Sequence, residues 1–148
     1  MHLFREAGPG DFDAVARLYR QLHPGDPDPA ATGAREVFAR ILATPDLRLF
    51  VLERAGTVVA TTYLNLVPNL TRSASPYAVV ENVVVDEDLR GKGLGREIMA
   101  RTLDVAWAAG CYKAMLQTGS KTPATHAFYR ACGFSADAKT AYLARPPQ

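Results

Sequence analysis

The sequence predicts a mixed α/β sheet in a single domain spanning residues 1–148, and three observations carry that prediction. The run Tyr77 to Val85 gathers Val79, Val80, Val83, Val84 and Val85, the composition of a strand buried on both faces near the centre of a sheet. A helical stretch, Gly93 to Ala109, and a further strand, Tyr112 to Gln117, follow it, and such a strand-helix-strand unit implies a parallel crossover. Two β-rich runs precede it, Arg48 to Glu53 and Val58 to Val67, with Ala55-Gly56-Thr57 suited to a hairpin turn between them. Parallel and antiparallel pairs in one chain make the sheet mixed.

The other elements follow from punctuation and periodicity. Leu3 to Ala7 reads as a short strand ended by Gly8-Pro9-Gly10. Asp11 stands where it would cap a helix whose apolar positions Val15, Leu18, Tyr19 and Leu22 recur at helical spacing. The segment His23-Pro24-Gly25-Asp26-Pro27-Asp28-Pro29 breaks that helix as a stiff loop. A second helix carries Val37, Phe38, Ile41 and Leu42 on one face and stops before Pro45. Pro68 to Pro76 is a polar loop, and Gly110 takes the capping position at the end of the long helix. Thr122-Pro123, a capping hydroxyl followed by proline in the first turn, opens a helix that runs to Gly133, and Lys139 to Ala144 supplies a last strand. The predicted order is β-α-α-β-β-β-α-β-α-β.

Composition narrows the function classes. With 148 residues, 48% hydrophobic and 22% charged, the chain can bury its own core without metals or disulfides. A net charge of +2 is too small to imply nucleic acid or an anionic membrane surface, so any useful positive potential must be local. No apolar run approaches the length of a bilayer span, and Met1 to Glu6 lacks the apolar stretch of a signal peptide, which reads as a cytoplasmic protein. In that compartment the two cysteines, Cys111 and Cys132, are expected to stay reduced and pack as small hydrophobes.

Chemistry concentrates after the valine-rich strand, in Arg90-Gly91-Lys92-Gly93-Leu94-Gly95-Arg96, which leads directly into the long helix. Alternate glycines let the backbone turn sharply and approach a ligand with no Cβ in the way. The unpaired N–H groups of the helix's first turn and the helix dipole favour an anion there. Arg90, Lys92 and Arg96 add three cations, an arrangement that fits a diphosphate. It is not the Rossmann fingerprint, which needs glycine where Arg96 sits, nor the P-loop, whose glycines are spaced differently and followed by Lys-Ser/Thr.

The turn does match Arg/Gln-x-x-Gly-x-Gly/Ala, with Arg90, Gly93 and Gly95 in the fixed positions. Downstream, His126-Ala127-Phe128-Tyr129-Arg130-Ala131-Cys132-Gly133-Phe134 contains Phe-Tyr-x-x-x-Gly-Phe. In both blocks and their spacing the segment Tyr77 to Phe134 resembles the GNAT superfamily of acetyl-CoA-dependent N-acetyltransferases, with some likeness to its glucosamine-6-phosphate N-acetyltransferases. The resemblance implies a GNAT-like fold whose central sheet splays, an acetyl-CoA co-substrate and no metal. It implies that the amides of Arg90, Gly91, Lys92, Gly93, Leu94, Gly95 and Arg96 grip the pyrophosphate. It also implies that Val83, Val84 and Val85, on a bulged strand, lend backbone groups to the pantetheine arm. Tyr129 falls where the family often keeps the tyrosine that protonates the departing thiolate. Glu81 falls where many relatives place the acid that takes a proton from the amine. The bland alternatives are a Tyr129 that merely packs on its helix and a Glu81 that faces solvent or pairs with Arg72. His126 reads as a surface residue, and Thr122 and Thr125 replace the family's usual Asn and Ala.

The expected reaction is direct acetyl transfer to a primary amine of a small molecule, with no cysteine or serine in a nucleophile setting. A sugar phosphate would need a basic pocket, for which Arg72 is the obvious candidate, whereas Asp26 and Asp28 suit a cationic amine. A non-catalytic acyl-CoA sensor is the alternative from another class. Many relatives are homodimers, and the sequence identifies no interface.

Overall fold

Leu49 and Val51 project to one side of their strand and Phe50 and Leu52 to the other, and all four are buried, so this strand must be covered on both faces. In a computed structural model describing residues 1–148 it is β2 (Leu47–Arg54), the second strand of a five-stranded sheet in the order β1-β2-β3-β4-β5. The other strands are β1 (His2–Glu6), β3 (Thr57–Val67), β4 (Tyr77–Val85) and β5 (Ala114–Met115). The first three pairings are antiparallel and β4 with β5 is parallel, the mixed sheet expected. The β2–β3 hairpin turns on Ala55 and Gly56, both at positive φ (49° and 79°), the backbone a right-twisted two-residue hairpin requires.

Helices α1 (Phe12–Leu22) and α2 (Ala34–Ala43) cover one face, where Phe12, Val15, Leu18 and Phe38 pack with Leu49, Val51, Val58 and Val84. Helix α4 (Leu94–Ala108) covers the other, with Leu94 and Ile98 against Leu52, Val59 and Ala60. Leu18 is fully buried in the first of these clusters. Truncating it to alanine removes transfer free energy and leaves a cavity, so Leu18→Ala should cost about 2–5 kcal/mol, read as a fall in the urea midpoint at unchanged slope. A loss under about 1 kcal/mol would contradict this packing.

Three buried threonines are all hydrogen-bonded: Thr61 donates to Phe50 O (2.7 Å), and Thr62 shares a 2.7 Å bond with Thr102, which also donates to Ile98 O. Helix α4 ends as expected at Gly110 (φ 86°), whose N–H reaches Trp107 O while Cys111 N–H reaches Ala106 O. That pair of bonds is the Schellman arrangement.

Several local expectations need correction. Asp11 does not cap α1; its carboxylate accepts from Gly8 N–H (2.7 Å) and from Arg5 (2.7 and 3.0 Å). The charge on Arg5 draws it into the preceding turn, and Arg5 holds the Asp11 carboxyl below the usual carboxylate range. The loop Pro68 to Pro76 contains one left-handed turn, α3 (Thr71–Ala74), with Arg72, Ser73 and Ala74 at φ 55–59°. The strand expected over Tyr112 to Gln117 shrinks to the two residues of β5.

These elements lie in a unit spanning Met1–Thr118; Gly119–Gln148 form a second compact unit. Its helix is α5 (Pro123–Ala131), with proline in the first turn as expected. Thr122 does not bond a helix amide; its hydroxyl lies 2.8 Å from that of Thr125 and 3.0 Å from that of Ser120. The strand expected over Lys139 to Ala144 does not form, and Tyr142 and Leu143 are exposed. Its own unit holds no strand to pair with, and a lone strand leaves its backbone groups to water.

Candidate active site

Strand β4 is irregular at the point where chemistry was expected. Thr61 pairs with Val84 and Tyr63 with Glu81, so Thr62 alone faces both Asn82 and Val83. That is a β-bulge, and Asn82 carries it at φ 51°, in the left-handed region. Across an antiparallel ladder, paired residues share a face. Glu81 therefore sits on the side of Tyr63, toward α1 and α2, and the extra residue brings Val84 to that same side. The bulge also turns the Asn82 side chain toward the hydroxyl of Tyr19 on α1. Burial holds the Tyr19 phenol well above its ordinary range, so it remains neutral. Thr62, opposite the bulge, is the residue tied to Thr102 of α4.

Beyond the bulge, β4 has one open edge. Strand β5 pairs only with Ala78 and Val79, so from Val80 to Val85 the main chain is laddered to β3 alone. This loss of pairing is the splay the sequence resemblance implied, and it leaves the strand half-covered rather than enclosed on both sides. Of the alternatives for Glu81, its environment is the solvent-facing one. Its side chain is exposed, so its carboxylate bears no large desolvation cost. Nor does it pair with Arg72, whose guanidinium lies 5.8 Å from the centre of the Tyr112 ring.

The chain then passes through a 3₁₀ turn (Glu87–Leu89) into the glycine segment. Asp86 accepts from Asp88 N–H and from Arg17 of α1 at 2.6 Å, while Arg17 also donates to Val58 O at 2.8 Å. Gln21 of α1 accepts from Glu87 N–H at 2.9 Å. Two residues of α1 thus hold the entry to the turn. Arg17 keeps the Asp86 carboxyl below its usual range. A depressed carboxylate contributes stability above its unfolded pKa and loses it only as pH falls through the lower folded value, so this lock is intact at neutral pH.

Gly91 and Gly93 take φ 77° and 83°, and Gly93 is the N-cap of α4. A Cβ at either glycine would meet no protein atom within 4 Å, so protein packing does not demand glycine there. The backbone angle does, and the space above stays open to a ligand. No side chain caps α4, and its first bond runs from Glu97 N–H to Gly93 O at 3.0 Å. The amides of Leu94, Gly95 and Arg96 have no intrahelical acceptor and point out of the helix end. Arg90 folds its Nε onto Val85 O (3.1 Å), while Lys92 and Arg96 stand exposed beside the turn.

In the second unit, the Phe-Tyr-x-x-x-Gly-Phe block has a local structural meaning. Gly133 (φ 95°) donates to Arg130 O and Phe134 N–H to Tyr129 O, a second Schellman end. The Tyr129 and Phe134 rings, 6.3 Å apart and edge to face, supply the apolar contact that accompanies such an end. The ring of Tyr129 is thus fixed by helix termination, which leaves the role of its hydroxyl a separate matter. His126 is half-buried, not a surface residue, with Nε2 2.8 Å from Ser120 O.

Sequence reading missed Tyr19, Arg17 and Gln21. Tyr19 was assigned to the apolar stripe of α1, and Arg17 and Asp86 stand 69 residues apart. A phenol inside an aliphatic stripe is a signal that a partner is required, but not of which partner. Both cysteines are free, and burial pushes the Cys111 thiol up, away from a reactive thiolate.

Comparison with known proteins agrees with this geometry. The sequence pattern of the "Acetyltransferase (GNAT) family" matches residues 12–134. The chain is 33% identical over 113 residues to the "Probable glucosamine 6-phosphate N-acetyltransferase 2" of Oryza sativa subsp. japonica, covering 73% of this chain and 66% of the rice protein. It is 33% identical over 125 residues to the "IAA acetyltransferase" of Azospirillum brasilense, covering 83% of this chain and 78% of that protein. Among solved structures, a putative acetyltransferase from Agrobacterium tumefaciens str. C58 superposes with a TM-score of 0.92 at 47% identity, over 97% of this chain and 99% of its own. With a bulged and half-free strand feeding an uncapped glycine turn, and a family pattern that spans most of the sequence, the chain belongs to the GNAT acetyltransferase family.

Proposed function

We propose that this chain moves an acetyl group from acetyl-CoA to a primary amine of a small molecule by direct attack, its two units acting as one N-acetyltransferase domain. One observation carries the reading. The free edge of β4 at Val83, Val84 and Val85 is followed, after one 3₁₀ turn and the glycine segment, by the uncapped amides at the start of α4. Peptide groups on the strand suit the amide-bearing pantetheine arm, and the turn from Arg90 to Arg96 suits the pyrophosphate. The family match over residues 12–134 crosses both units and supports treating them as one domain.

Acetyl-CoA supplies an activated thioester. The amine nitrogen forms the new bond to the acetyl carbon, and the bond from that carbon to sulfur breaks. Glu81, exposed and on the α1/α2 side of β4, takes the proton the ammonium must lose, directly or through water. The hydroxyl of Tyr129 gives a proton to the departing thiolate, and a strand N–H steadies the thioester oxygen. The rice relative's name gives glucosamine 6-phosphate as an acceptor of that protein, and the Azospirillum relative's name gives IAA.

Calorimetric titration with CoA, followed by thiol release from acetyl-CoA across a panel of amines, tests the reading. CoA binding without thiol release from any amine would leave a sensor in place of an enzyme. Tyr129→Phe keeps the ring that meets Phe134 and removes only the hydroxyl. It should lower kcat by about 10²-fold while acetyl-CoA affinity stays within about twofold. Full activity in that variant would remove Tyr129 as the acid.

A further inference from the structure

Between α1 and α2 a cavity of about 560 Å³ opens and reaches β4 at Asn82. Its size falls inside the roughly 300–1,000 Å³ typical of small-molecule sites. Most of the wall is carbon: Val15, Ala16 and Phe12 from α1, Val37, Phe38 and Ile41 from α2. At its inner end Asn82 meets Tyr19, and at its mouth lie His23 and Asp26 of the proline-rich loop. Resting on the transferase reading above, we infer that this cavity holds the acceptor, and that the acceptor is a primary amine carried on a compact apolar body, an arylalkylamine, rather than a phosphorylated sugar.

Position supports the assignment of the cavity. It ends at the bulge, and Glu81 lies on the same face of β4 one residue away, so an amine at the inner end meets the strand where its proton can leave. Chemistry supports the class of body. A hexose phosphate would set several hydroxyls against a wall that is mostly aliphatic and aromatic, and those left there without a hydrogen bond are costly. Charge points the same way. Arg20 and His23 are the lining residues able to meet a phosphate, and Arg20 lies 3.8 Å from the Asp28 carboxylate, with Asp26 also at the mouth. A dianion would face this acidic rim, whereas an ammonium is favoured by it. Arg72, the cation suggested for a phosphate, is engaged with Tyr112 and does not line the cavity. An aromatic or branched aliphatic body gains contact with Phe38 and Ile41, while the polar pair Tyr19–Asn82 orients the nitrogen.

The test uses the full chain, acetyl-CoA and three acceptors: 2-phenylethylamine, glucosamine 6-phosphate and putrescine, with thiol release as the readout. The expected result is a kcat/KM for 2-phenylethylamine about 10-fold or more above either hydrophilic amine. Val37 is 44% exposed on the cavity wall, so Val37→Asp should fold. It should raise KM for 2-phenylethylamine about tenfold and leave CoA affinity, measured by calorimetry, within about twofold. Ala34→Phe, which fills the cavity from the start of α2, should do the same by volume instead of charge. Preference for glucosamine 6-phosphate or putrescine, or indifference of 2-phenylethylamine turnover to both variants, overturns the inference and leaves the transferase standing. Absence of thiol release from all three amines overturns it as well. If CoA itself fails to bind, the transferase reading falls first and the inference with it.

Discussion

Gly93→Asp should abolish CoA binding at a modest cost to α4. Gly93 is the N-cap of α4, no side chain caps that helix, and aspartate is among the strongest N-cap residues. A Cβ there meets no protein atom within 4 Å. The φ of 83° costs aspartate about 1 kcal/mol, which a cap bond from this left-handed backbone offsets only in part. The thermal midpoint should therefore fall by only about 2–4 °C. The ligand fares differently. A carboxylate on the helix axis satisfies the amides of Gly95 or Arg96 that the pyrophosphate requires, and it repels the diphosphate at short range. At about 4 Å and an effective dielectric near 20, that repulsion is about 4 kcal/mol, a factor of about 10³ in affinity. Gly93→Asn has nearly the same shape and capping ability without the charge, so it should lose far less. Calorimetry with CoA beside a thermal melt separates these effects. Unchanged binding in the aspartate variant would refute the cradle, and a collapsed melting temperature would mean that the glycine serves the fold.

How far the sequence displays this site depends on how local each feature is. The glycine turn is written in consecutive residues, because positive φ at Gly91 and Gly93 and the lack of a capping side chain are properties of one short segment. The parallel strand after α4 and the β2–β3 hairpin were likewise legible from periodicity and turn chemistry. The tie between Asn82 and Tyr19 joins β4 to a helix 63 positions earlier, and only the folded sheet brings them together. Competition defeated other readings. Asp11 looks like a cap, but Arg5 and Gly8 claim its oxygens first. Thr122 looks like a cap, but a cluster of hydroxyls claims it. Lys139 to Ala144 reads as a strand, yet sequence states only a preference and a strand needs a partner. Glu81 lies in an apolar run and is tolerated there because its side chain faces water.

That same stop in pairing makes Asn82 the residue on which the strand's geometry depends most. It holds φ 51°, a backbone that asparagine tolerates and that β-branched residues avoid strongly. Asn82→Val should therefore either strain the bulge by about 1–3 kcal/mol or drive β4 into regular pairing with β3. Straightening removes one residue from the count across Thr62, and a one-residue slip sends every later side chain to the opposite face. Val84 would leave the α1 side, Val83 to Val85 would present different peptide groups at the open edge, and Asp86 would be drawn away from Arg17. Both the pantetheine edge and the entry to the glycine turn move together, so turnover should fall about 10²-fold with CoA affinity reduced in parallel. Asn82→Gly accepts the same φ and loses only the side chain that faces Tyr19, so it should retain CoA affinity within a few-fold and give up mainly acceptor KM. The contrast is the test, because both variants remove the amide and only one opposes the backbone. If valine and glycine at position 82 behave alike in CoA binding, the bulge is not what presents this strand to the cofactor.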